Sequence, residues 1–89
     1  MKKSIWKYAL SSDDVIISMP QYTEVICVHA QNNEPQLWAI VDPVKPLVDR
    51  RFKTYGTGHE IETYPGKYIG TFFLDGGTFV FHVFEIPLS

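Results

Sequence analysis

Eighty-nine residues with a formal charge of −2 suit one domain, 1–89, and argue against a general DNA or RNA coat, which needs a strong basic excess. The lone cysteine, Cys27, rules out an intrachain disulfide scaffold and fits a reducing cytoplasm. No apolar run follows the basic start Met1 to Lys7, so neither a signal peptide nor a membrane-spanning helix is expected.

Turn signals recur roughly every ten residues, the rhythm of an all-β chain. The expected fold is a small antiparallel β-sandwich or partly open barrel of about six to seven strands. Ile5 to Leu10 reads as the first strand, with Trp6, Tyr8 and Leu10 on one face. Ser11 to Asp14 turns the chain. Val15 to Ile17 is a short second strand, stopped by Pro20. Thr23 to Gln31 is a β-branched third strand. Gln31-Asn32-Asn33-Glu34 is a tight turn, because asparagine tolerates positive φ. Leu37 to Asp42 returns antiparallel. Asp42 to Pro46 carries two prolines and is a loop. Val48 to Tyr55 is a fifth strand, and residues 56–66 are irregular.

Lys67 to Leu74 and Thr78 to Ile86, joined through Asp75-Gly76-Gly77, form the clearest hairpin. A two-residue Gly76-Gly77 loop sets Leu74 opposite Phe79, Phe72 opposite Phe81 and Gly70 opposite Val83. The other face then carries Phe73, Thr71 and Ile69 against Val80, His82 and Phe84. Both faces are apolar, whereas an antiparallel hairpin in a small protein usually shows one wet face. A second subunit is the expected cover for the extra face.

Chemistry concentrates in Arg50 to His59. Three cations, Phe52 and Tyr55, two glycines and a histidine fall within this segment. Strand alternation points Phe52 to the core and places Arg51, Lys53 and Tyr55 together on the exposed face, with Arg50 ranked second. A guanidinium fork and an ammonium suit phosphate or carboxylate. Gly56, Thr57 and Gly58 could offer backbone N–H groups, and His59 a further donor. Tyr55, or Tyr64 or Tyr68 from the loop, could stack on a base. The plain alternative is a solvated outer face with a glycine turn. The segment is neither a Walker loop nor a dinucleotide fingerprint.

Other constellations are weaker. His29, His59 and His82 lack zinc-like spacing with Cys27, so no metal or other cofactor is expected. Cys27 reads as a buried, inert thiol among Val25, Ile26 and Val28. His29 and His82 read as hydrogen-bonded structural histidines, and Trp6 and Trp38 as core residues. An enzyme using His59 with Glu60 or Glu62 is the least favoured class.

Trp38-Ala39-Ile40-Val41-Asp42-Pro43, Arg50-Arg51-Phe52 with Gly56-Thr57-Gly58-His59, Tyr68-Ile69-Gly70-Thr71-Phe72 and Phe81-His82-Val83-Phe84-Glu85 carry a resemblance that covers nearly the whole chain, from Ile5 to Glu85. In these residues the sequence resembles a family of small phage and prophage proteins carrying a domain of unknown function. The resemblance implies a viral origin and the cytoplasm of an infected bacterium. In that setting two functions are expected. The first is a non-enzymatic homo-oligomer that sequesters an anionic small molecule, such as a nucleotide immune signal. The alternative is a protein-binding module that inhibits a host protein or serves as a minor virion component.

Overall fold

The computed structural model describes residues 2–88. Seven strands are present: β1 (Ser4–Ala9), β2 (Asp14–Pro20), β3 (Glu24–Gln31), β4 (Glu34–Val41), β5 (Leu47–Gly56), β6 (Lys67–Leu74) and β7 (Phe79–Ile86). They form two antiparallel sheets, one ordered β1-β4-β3 and the other β2-β5-β7-β6. The sheets stack as an open sandwich, 16 Å in its thinnest dimension.

The core is the pair of inner faces. Leu37, Ala39 and Val41 of β4 and Val28 of β3 meet Phe52, Phe72 and Val83 of the other sheet, all essentially buried. Met19 of β2 and Leu10, just past β1, complete it. The two sheets approach most closely where β3 lies beside β6. Gly70 is required there, since a Cβ would lie 2.7 Å from Cγ2 of Val28. On the opposite side β1 and β2 are edge strands. Pro20 closes β2 on such an edge, where its missing N–H costs no ladder bond.

Two turns are clasped to each other across the sheets. Asn33 Nδ2 donates to Asp75 Oδ1 at 2.9 Å, and the Asp75 N–H donates to Asn33 Oδ1 at 2.8 Å. Both residues take positive φ, as their short polar side chains allow. The β6–β7 register is the expected one, with Leu74 opposite Phe79, Phe72 opposite Phe81 and Gly70 opposite Val83.

One expectation for that hairpin fails. A bulge between Tyr68 and Gly70 sets Tyr68, not Ile69, opposite Phe84. Ile69 turns inward and packs on the core. A second bulge, between Val25 and Cys27, resets β3. Val25 and Val28 pack against the core while Cys27 is exposed, contrary to its reading as a buried thiol. Trp38, expected in the core, lies on the outer face between the inward Leu37 and Ala39, and Trp6 is partly exposed.

β5 and β6 run in the same direction on either side of β7. Residues 57–66 must therefore travel the length of β7. The inner face is filled by the core, so this connection crosses the outer face. It is pinned at one end by the Thr57 N–H on the Val80 carbonyl, at 3.0 Å. At the other end Gly66, at φ +98°, lies so close that a Cβ would fall on the Glu85 carbonyl.

Candidate functional site

β5 delivers the basic segment as alternation requires. Phe52 is buried, and Arg51, Lys53 and Tyr55 share the outer face of the four-stranded sheet. The two arginines, however, are already occupied. Arg51 holds Asp14 of β2 in a two-pronged pair, Nε to Oδ1 at 2.8 Å and Nη2 to Oδ2 at 2.7 Å. Those bonds hold the Asp14 carboxyl below its usual range.

Arg50 points inward beside Phe52, its guanidinium 5.9 Å from the ring centroid. Its Nε and Nη2 donate to Glu85 at 2.6 and 2.7 Å, and Nη1 donates to the Thr23 carbonyl at 2.5 Å. This half-buried pair ties β5 to β7 and to the residue before β3. It is a structural clamp, and the Glu85 bonds raise the guanidinium pKa further. Both partners are more than 34 residues away in sequence, so no local pattern reveals them.

Lys53 has no ion pair among the described residues. Its Nζ sits 5.3 Å from the centroid of the Tyr55 ring, a cation–π distance. Tyr55 itself is 8% exposed, with Phe84 edge-on at 5.9 Å. A ring covered in this way has no free face for a base. Tyr64, on the crossing connection, and Tyr68, on β6, are both exposed.

The glycine turn differs from an open anion nest. The Gly56 N–H donates to Nδ1 of His59 at 3.2 Å, and the His59 N–H returns to the Gly56 carbonyl at 3.0 Å. The Thr57 N–H is spent on Val80. Gly58, at φ +90°, supplies the left-handed step that closes the turn. Because Nδ1 of His59 accepts, the neutral ring carries its proton on Nε2. With Nδ1 engaged by Gly56, Nε2 is the ring nitrogen left free to donate. A Cβ on Gly56 would lie 2.7 Å from the ring, so the imidazole rests on bare backbone.

Beside this turn lies a recess of about 490 Å³, lined by Gly56, Thr57, His59, Thr78 and Phe79 to Phe81. Of the expected site residues, the structure gathers Gly56, Thr57 and His59 at this recess. Lys53 and Tyr68 stand farther along the same outer face, and Arg50 lies on the other side of its strand.

A polar chain missed in the sequence also crosses this face. Tyr68 Oη lies 2.6 Å from Thr71 Oγ1, which lies 3.0 Å from Nδ1 of His82. Nε2 of His82 lies 2.8 Å from Thr57 Oγ1, which reaches the Val80 carbonyl at 3.3 Å. One donor order satisfies every atom: Tyr68 to Thr71, Thr71 to His82 Nδ1, His82 Nε2–H to Thr57, Thr57 to Val80. His82 is thus a hydrogen-bonded structural histidine. It anchors the first residue of the crossing connection. His29, by contrast, is exposed on the outer face of the three-stranded sheet.

A family model described as a domain of unknown function (DUF7352) matches residues 1–88. No curated protein and no solved structure matches the chain.

Proposed function

The chain belongs to the DUF7352 family, a domain of unknown function, and on that premise we propose that it is a non-enzymatic interaction module. In this reading it is a phage accessory protein, at work in the cytoplasm of an infected bacterium, that docks on a protein surface. The target is a host enzyme or a virion component. One observation carries the reading. The outer face of the three-stranded sheet is apolar and bare, with Ile5, Ile26 and Trp38 beside Cys27 and His29 around a shallow hollow of about 400 Å³. Ile5 is 62% and Ile26 44% exposed. Grouped apolar exposure of this kind marks interaction surfaces. The neighbouring β1 edge adds unpaired backbone groups to the same surface.

Affinity capture from infected-cell lysate tests this, with wild type, Ile26→Asp and Arg51→Ala compared. A stoichiometric protein partner kept by Arg51→Ala and lost by Ile26→Asp, with the variant's Tm unchanged, supports the reading. A partner that survives Ile26→Asp argues against it. Light scattering on the purified protein shows whether a second copy covers the face instead.

A second reading is favoured by Lys53, the outer-face cation of β5 without a carboxylate partner among the described residues, and by the recess at the glycine turn. In it a homo-oligomer captures an anionic small molecule such as a nucleotide immune signal. Lys53 would hold phosphate, the Gly58 N–H and the His59 ring would supply donors, and Tyr64 or Tyr68 would stack on the base. Calorimetry against cyclic and ADP-ribose nucleotides tests it. No heat from any of them, with a folded oligomer, counts heavily against capture.

A further inference from the structure

At the end of the sandwich where β5 finishes, a second recess of about 270 Å³ opens between the two sheets. Its lining is mostly apolar, chiefly Leu10, Phe72, Leu74 and Phe81, with Thr54 at the side and Ser11 and Ser12 beside Asp13 in sequence. Phe72 and Phe81 stack at 5.4 Å between centroids, 24° apart in plane, so the floor is a rigid aromatic pair. Asp13 lines the mouth, and no lysine or arginine lines the recess. Asp13 makes no ion pair among the described residues, although Asp14 beside it is fully engaged by Arg51. The Asp13 carbonyl accepts the Thr54 N–H at 2.8 Å, which fixes the mouth to the recess wall.

Volume and charge together select an occupant. An apolar cavity of about 150 Å³ admits benzene, so this one has room for a one- or two-ring hydrocarbon body. Ligand pockets of this kind are apolar with a few placed polar groups that fix orientation. Here the placed groups are the hydroxyl residues Ser11, Ser12 and Thr54 and one unmatched carboxylate. We propose that this recess binds a small hydrophobic amine, its ring on the Phe72–Phe81 pair and its ammonium at Asp13. The site is separate from the glycine turn, with which it shares only Phe81.

Three probes with one ring and different heads test this: tryptamine, indole and indole-3-acetate. Each is titrated into ¹⁵N-labelled protein while the amides of Leu10, Thr54 and Leu74 are followed. Tryptamine should bind about threefold tighter than indole, the order expected of one exposed ion pair, and indole-3-acetate most weakly. Asp13→Asn, at an exposed position, should remove the tryptamine advantage and leave indole unchanged. Leu74→Trp should fill the recess and abolish all three. No shift at these amides with any probe overturns the proposal. So does an affinity order indifferent to head charge, or a tryptamine preference that survives Asp13→Asn.

Discussion

The two outer faces of this sandwich are built from similar strands and end up unlike. The four-stranded face is roofed by the 57–66 connection and laced by the Tyr68–Thr71–His82–Thr57 chain. The three-stranded face has the same apolar richness, but only short connections border it. The difference teaches where a thin domain spends its loops. One long connection lies over part of one face, because β5 and β6 flank β7 and the chain must cross, while Phe73 and Tyr68 stay exposed. The other face has no such connection across it. A hairpin of β6 and β7 with two apolar sides suggests in the sequence that its own outer face needs the subunit. The structure lays the 57–66 connection across part of that face, leaves Phe73 exposed on it, and shows a second apolar surface on β1, β4 and β3.

The contrast can be broken most directly by a charge on each face. Ile26→Asp should weaken partner binding by about tenfold or more, as loss of an apolar anchor does, while Phe73→Asp on the roofed sheet should leave it nearly intact. Titration calorimetry with the captured partner decides this; equal losses would erase the distinction between the faces. Next in size is the roof itself. Gly66→Ala forces a Cβ onto the Glu85 carbonyl at a left-handed φ and should cost about 2–3 kcal/mol by urea unfolding.

A smaller effect follows for the chain beneath the roof. His82→Phe removes its central link and should cost about 1 kcal/mol. The Thr57 amide should then exchange faster with solvent, whereas amides in β4 should not. The smallest concerns Asp14, whose pair with Arg51 is largely exposed. Asp14→Asn should cost less than about 1 kcal/mol. The sign is fixed by the lowered carboxyl pKa. The stabilisation is present above the ordinary aspartate range and disappears as pH falls through the depressed value. Tm of wild type and Asp14→Asn should therefore converge in acid and separate toward neutrality.

All seven strands were legible from alternation and turn residues, and so was the β6–β7 register, although the connection is a 3-10 turn over Asp75–Gly77 between Leu74 and Phe79 and not the two-residue loop expected. What alternation could not give was parity through a bulge. Ile69 is itself an inserted residue and Cys27 follows one, and both depart from their expected sides. Nor could it choose an inner face for Leu37 to Val41, where every residue is apolar. Trp38 went outward because the smaller Ala39 and its inward neighbours fit the gap to Phe52 and Val83. At the candidate site, the shared face of Arg51, Lys53 and Tyr55 was readable. The engagement of Arg50 by Glu85 and of Arg51 by Asp14 was not, since those contacts depend on which strands become neighbours. The engagement of His59 Nδ1 was equally hidden, because it rests on one backbone hydrogen bond.

The last of the seven strands in chain order is the one that stands between β5 and β6. β5 has only β2 beside it, and β6 has no neighbour in its sheet, until residues 79–86 arrive. During synthesis the four-stranded sheet must wait for its middle, holding two hydrophobic ribbons apart in the meantime. Premature pairing of β5 with β6 is the misfold this order invites, and a chaperone or a slow refolding phase is where it should first be noticed.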